Sequence, residues 1–169
     1  SLGVALQKLG WKVKGLTKRE STANRARKRQ LAHEVSTDIG ILAECELVIL
    51  AMPLDQLMNP EENLIEALPK SAVITDVGSV KAPVLKIWRE LHPRFVASHP
   101  MAGKAEAGVE AAQAGLFQNR PWVATPEIGT DSQALEMVKK LALSLGCNWL
   151  TTKAIRHDEA VALISHLPI

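Results

Sequence analysis

Two polar residues stand where apolar runs give way to loops. His99 lies in Ser98-His99-Pro100-Met101-Ala102-Gly103, directly after Arg94-Phe95-Val96-Ala97, a run that predicts a buried strand over 94–98. Ser79 lies in Val77-Gly78-Ser79-Val80-Lys81, directly after Ala72-Val73-Ile74-Thr75-Asp76, a second predicted strand over 72–76. Neighbouring strands of one parallel sheet would bring both residues to the same rim. In open α/β sheets the C-terminal rim is where ligands bind, and an imidazole beside a hydroxyl there can move a proton. Each has a plainer use as well: a histidine before proline can simply close a loop, and Ser79 can cap a helix beginning near Lys81.

The elements that must position these residues follow from the hydrophobic spacing. Leu2, Ala5, Leu6 and Leu9 predict a helix over 1–9 with Gly10 as its stop. Residues 11–16 alternate and predict a strand; 20–31 read as a polar helix, and 39–45 as a short helix or turn. Glu46-Leu47-Val48-Ile49-Leu50-Ala51, ended by Met52-Pro53, has the continuous apolar character of a strand covered on both faces. A helix over 54–68 with a break at Pro60 comes next, and the two strands above flank a helix over 81–91. Residues 100–120 read as a loop with a small-residue helical patch. Strand 121–125, helix 132–145 stopped by Gly146, strand 147–151 and a helix from His157 complete the chain. Alternation of strand and helix predicts a doubly wound, mainly parallel α/β sheet.

Composition narrows the partners. A net charge of +2 is too small to indicate nucleic acid or a membrane surface. No apolar run approaches a membrane span and no signal peptide is visible. Cys45 and Cys147 are far apart, lack metal-ligand spacing and adjoin apolar runs. They read as reduced packing residues of a cytoplasmic protein, with no metal site. His33 and His92 read as surface residues, His157-Asp158 as a helix N-terminal pair, and the four tryptophans as packing. Because the chain starts without Met inside one helical pattern and stops inside another, it reads as a piece of a longer protein.

Helix 1–9 followed by strand 11–16 looks like a βαβ unit without its first strand and glycine-rich turn. In such units an acid at the end of the second strand holds the ribose 2′-hydroxyl of NAD. Here Thr17-Lys18-Arg19 stands at that point, with Ser21 and Thr22 behind. Cations and hydroxyls suit a 2′-phosphate, so NADP is expected over NAD. The plainer reading is a solvated basic turn leading into a basic helix. A nucleic-acid patch is disfavoured, because no aromatic residues are interleaved with the charges.

Over essentially its whole length the chain resembles the prephenate/arogenate dehydrogenase family, most closely its cyanobacterial, NADP-using arogenate members. The resemblance rests on Gly15-Leu16-Thr17-Lys18, Ala51-Met52-Pro53-Leu54, Thr75-Asp76-Val77-Gly78-Ser79-Val80-Lys81, the His99 motif and Ser165-His166-Leu167-Pro168, in that order and spacing. It implies a Rossmann-like NADP-binding domain over 1–153, and over 154–169 the start of a helical domain that forms a homodimer. It implies oxidative decarboxylation of arogenate or prephenate in tyrosine biosynthesis, with His99 accepting the ring hydroxyl proton and Ser79 hydrogen-bonding His99 or the substrate. Ala51, Met52, Pro53, Gln56, Val77 and Gly78 would line the nicotinamide side, and Gly103, Ser165 and His166 the substrate. Many prephenate-specific members end the last motif in histidine; Ile169 here fits arogenate. The glycine-rich turn and the helical domain are absent from the sequence, so this piece is expected to be inactive alone. Two other readings remain: a non-catalytic nucleotide-binding module, and another NADP-dependent β-hydroxyacid-type dehydrogenase, for which neither Lys139 nor Lys153 is well placed.

Overall fold

The computed structural model describes residues 1–102 and 115–166, the last three of these in backbone only. Gly103, the helical patch expected within 100–120 and Ile169 therefore lie largely or wholly outside the described residues. Helix α1 (Leu2–Lys8) ends at Gly10, whose φ of +87° a side chain would resist, and leads into β1 (Lys14–Leu16). Then come α2 (Glu20–Lys28), β2 (Glu34–Ser36), a 3-10 turn at Ile39–Leu42 and β3 (Leu47–Leu50). The break at Pro60 separates α3 (Leu54–Met58) from α4 (Glu62–Ala67), as a ring without an N–H requires. β4 (Val73–Asp76), α5 (Ala82–Leu91), β5 (Phe95–Val96) and β6 (Ser98–Pro100) form the centre. β7 (Pro121–Ala124), α6 (Ser132–Ser144), β8 (Asn148–Thr151) and α7 (Ala154–His166) follow.

β4 is buried along its whole length and pairs in parallel with β3 and β5, placing Leu50 opposite Asp76 and Thr75 opposite Val96. Its alternate residues feed two cores. Ile74 joins Leu57, Val84, Leu85 and Trp88 under α3, α4 and α5; Val73 joins Leu6, Val138 and Leu141 under α1 and α6. Helices thus cover both faces of the sheet, the layering of a doubly wound α/β domain. Trp88 is wholly buried, donates its indole N–H to Leu57 O at 2.9 Å and stacks on Phe95 at 5.5 Å. That hydrogen bond is what a buried indole needs.

Several expectations change. The strand over 11–16 shrinks to β1, and β2, a three-residue strand with only Val35 buried, pairs with it in parallel without having been foreseen. The strand over 94–98 is interrupted at Ala97, where its partner changes: β5 belongs to β4, whereas β6 runs antiparallel to β7, which pairs in parallel with β8. Ala97 O is taken by Thr125 N at 3.0 Å, so the interruption keeps its backbone satisfied. The last helix begins at Ala154 rather than His157. His92 is buried, its ring bonded to Pro69 O and Arg94 N, not a surface residue.

The β1–β2 pair and the β3–β4–β5 sheet are not hydrogen-bonded to each other. A cleft of about 740 Å³ separates them, lined by Trp11, Val13 and Leu16 on one side and Leu47, Ile49 and Met52 on the other. Among the described residues no helix is long and apolar enough to cross a membrane.

Candidate active site

The rim that carries His99 is built on a buried ion pair. Asp76 ends β4, and five residues later Lys81 directly precedes α5; both side chains are fully buried and bonded to each other. The Asp76 carboxylate also accepts from Gly78 N and Ser98 N, each at 3.2 Å, while Lys81 Nζ donates to Ser98 O at 2.6 Å. Ser98 Oγ completes the cluster, 2.7 Å from Thr75 Oγ1 and donating to Asp76 O at 3.1 Å. Burial pushes the Asp76 carboxyl up and the Lys81 ammonium down, and each charge pulls the other part of the way back. Both peptide groups of Ser98 are thereby clamped, fixing the backbone immediately before His99.

His99 is half-buried on this rim. Its Nδ1 lies 2.9 Å from His157 Nε2, the rings meeting edge to face at 5.2 Å. His157, 4% exposed, in turn bonds Asp158 Oδ1 through Nδ1 at 2.8 Å. Asp158 accepts from Lys81 N and Ala82 N, both at 2.8 Å, and so supplies the cap of α5. Burial, helped by His157 and the Lys81 cation and opposed by Asp158, lowers the His99 pKa to about 4. The imidazole is therefore neutral at pH 7.

This arrangement revises parts of the sequence reading. Asp76 and Lys81 hold Ser98 at the end of β4, so the loop carrying Ser79 and the start of β6 carrying His99 lie on one rim, but the ring partner of His99 is His157. Ser79 is exposed, and it does not cap α5, because Asp158 does. His157-Asp158 is thus no local pair at the start of its own helix; it joins α7 to α5 and to His99. Spacing hardly reveals such a link, since 58 positions separate the two histidines. Asp76 and Lys81 left a clearer trace: a charge closing a wholly apolar strand must find a partner. Ser165 and His166 lie in the last turn of α7, in backbone only.

The residues expected on the cofactor side lie along the ends of β1, β3 and β4. Ala51 and Pro53 are exposed, and Met52 and Gln56 half-buried, around the start of α3. Val77 N donates to Leu50 O at 3.3 Å, bringing Val77 and Gly78 alongside them. At Gly78 a Cβ would press on Asp76 Oδ2 and Leu57 Cδ1, both at 3.2 Å, so glycine keeps this turn close. At the end of β1, Thr17 Oγ1 donates to Arg19 O at 3.3 Å, and half-buried Thr22 sits in the first turn of α2. Lys18 is engaged with Glu61 at 2.6 Å; Arg19 is exposed and makes no ion pair among the described residues.

Helices on both faces of a mainly parallel sheet, with polar side chains and tight turns along its C-terminal rim, define a Rossmann-like dinucleotide-binding domain. More particularly, the profile of the prephenate dehydrogenase nucleotide-binding domain matches residues 2–150, and the chain belongs to that family. It is 35% identical over 154 residues to the cyclohexadienyl dehydrogenase of Zymomonas mobilis, covering 89% of this chain and 53% of that protein. Synechocystis arogenate dehydrogenase superposes with a TM-score of 0.87 at 34% identity, over 99% of this chain and 61% of that one. Prephenate dehydrogenase from A. aeolicus, crystallised with hydroxyphenyl propionate and NAD+, gives 0.88 at 25% identity, over 98% and 59%. The chain thus spans between half and two thirds of these relatives.

Proposed function

We propose that this chain is the cofactor-side part of a dehydrogenase that oxidatively decarboxylates arogenate, with prephenate as the less favoured substrate, using NADP. The observation that carries the reading is His99: a neutral imidazole on the C-terminal rim with Nδ1 bonded to His157. In the reaction the ring hydroxyl loses its proton, the carbon bearing it loses hydride, and carbon dioxide departs as the ring becomes aromatic. Aromatisation supplies the driving force, so the protein's work is to orient the ring and take the proton. His99 accepts that proton, a contribution typically of about 10²–10⁴-fold. Exposed Ser79, on the same rim, donates to the substrate.

The donor set fits a dinucleotide. Arg19, with the Thr17 and Thr22 hydroxyls, would hold a 2′-phosphate, whereas an acid at this position would have favoured NAD. Lys18, being paired with Glu61, adds less charge than its sequence position suggests. Ala51, Met52, Pro53, Gln56, Val77 and Gly78 would hold the nicotinamide, which supplies the hydride acceptor. Gly103, Ser165 and His166 belong to the substrate side in this reading, and Ile169 favours arogenate. We place the protein in the cytoplasm, as a homodimer formed through helices that continue from α7. Apolar Ile155 and Leu163, 65% and 67% exposed on that helix, suit such a covering.

The test is formation of reduced nucleotide by the complete protein, with arogenate and with prephenate, each with NADP and with NAD. Turnover mainly with arogenate and NADP supports the assignment. Preference for prephenate discards the reading of Ile169, and preference for NAD discards that of Arg19. Absence of turnover with every pair leaves a nucleotide-binding module.

A further inference from the structure

His157 and Asp158 have a geometry that the reaction outlined above does not by itself require. Asp158 is a carboxylate with three nitrogen partners: Lys81 N and Ala82 N bind its two oxygens, and His157 Nδ1 lies 2.8 Å from Oδ1. A carboxylate has only lone pairs to offer, so the proton in that last bond sits on His157 Nδ1. Asp158 stays ionised because these bonds outweigh its burial and hold its carboxyl below the usual range. His157 then carries one proton and presents a lone pair at Nε2, 2.9 Å from His99 Nδ1. The His99 proton must lie on Nδ1 to meet it. That leaves the other ring nitrogen of His99, Nε2, with its lone pair free for the substrate.

We infer that His157 is a positioning residue which, anchored by Asp158, holds His99 as the Nδ1–H tautomer and so makes Nε2 the nitrogen that takes the proton. The inference rests on the proposed role of His99 as base and adds which atom acts and what fixes it. The competing arrangement has His157 doubly protonated and donating to His99 Nδ1. It would put a cation on a side chain only 2% exposed, and would leave His99 Nε2 carrying a proton, unable to accept one. The chosen chain needs no new buried charge. It also gives the positive charge that His99 gains a direct path of hydrogen bonds to a carboxylate. A third group that orients a catalytic histidine in this way is a recurring solution in proton-transfer sites.

The experiment reads the tautomer without needing turnover. In the complete protein labelled with ¹⁵N-histidine, long-range ¹H–¹⁵N correlation at pH 7 is expected to show His99 protonated on Nδ1 and bare on Nε2. A proton on Nε2 would overturn the inference, whatever the activity. His157→Leu removes the acceptor, and His99 is expected to shift toward the Nε2–H form, with kcat down about 10²-fold or more and KM little changed. His157→Gln can offer its amide oxygen near the position of Nε2; it is expected to restore the Nδ1–H form and part of the lost kcat. An unchanged tautomer in His157→Leu also overturns the inference. Should that variant not fold, the spectrum of the unmodified protein decides alone. His99→Asn separates the two claims: retained turnover in that variant removes the base assignment, while the tautomer measurement stands or falls independently.

Discussion

The two ends of the rim hold their charges in opposite ways. Around Asp76, Lys81, Ser98, His99 and His157, polar groups are buried or half-buried and bonded to one another. Around Lys18 and Arg19 they stand in solvent, and the ion pair of Lys18 with Glu61 is exposed on both sides. A group that takes a proton must be held within a fraction of an ångström, and buried bonds strong enough to do this are costly to break. A group that recognises a phosphate gains from long-range charge and tolerates movement, so an exposed cation in the turn after a short strand suffices. With the proposed roles, the difference would separate a site for chemistry from a site for recognition within one domain.

Breaking the buried end should have the largest effect. Asp76→Ala leaves the Lys81 ammonium buried without its partner and should cost about 3–5 kcal/mol, read by chemical denaturation. His99→Asn should leave that stability nearly unchanged while lowering turnover of the complete protein by about 10²–10⁴-fold. A large loss of stability in His99→Asn would instead make the histidine part of the scaffold.

The pH dependence sharpens the contrast further. Because His99 is held near pKa 4, against 6.5 for a free histidine, the rate should persist below pH 6 and fall only as pH drops through about 4. The unfolded chain binds a proton at this position earlier than the folded one. Stability should therefore decline as pH falls from about 6.5 to 4, with no contribution from this group above that window. A rate profile breaking at 6.5 would show that the ring is not desolvated.

The exposed end should respond more mildly. Arg19→Ala is expected to raise KM for NADP roughly tenfold, as for loss of one charge-assisted bond, while leaving KM for NAD alone and kcat intact. An equal rise with both cofactors would remove the 2′-phosphate assignment. Smallest of all, Glu61→Ala should change stability by at most about 1 kcal/mol, and it should strengthen NADP binding by releasing Lys18.

What the sequence revealed follows the same division. Long elements with regular spacing, such as α5, α6 and β4, were legible because their apolar faces repeat with the period of the helix or fill a whole strand. The rim position of His99 was legible for the same reason, since it only required finding where an apolar run stops. β2 was not, because three residues with one buried valine carry no period. The change of partner at Ala97 was not either, as pairing direction is decided by distant strands. Of the two partners expected for Ser79, His99 and the substrate, the described contacts of the His99 ring give the place to His157, which sequence spacing does not reveal because it comes from a distant helix docked through Asp158.

That contact has a consequence for the order of assembly. β4 and β5 can pair, and α5 can cover them, as soon as residues up to Val96 are available. His99 gains its strand partner Val123 and its ring partner His157 only when much later parts of the chain arrive. Loop closures of that length are entropically slow to make. On a ribosome the pairing of β3, β4 and β5 would thus come before the second core is closed by α6, and the His99 imidazole would be set last, by the docking of α7.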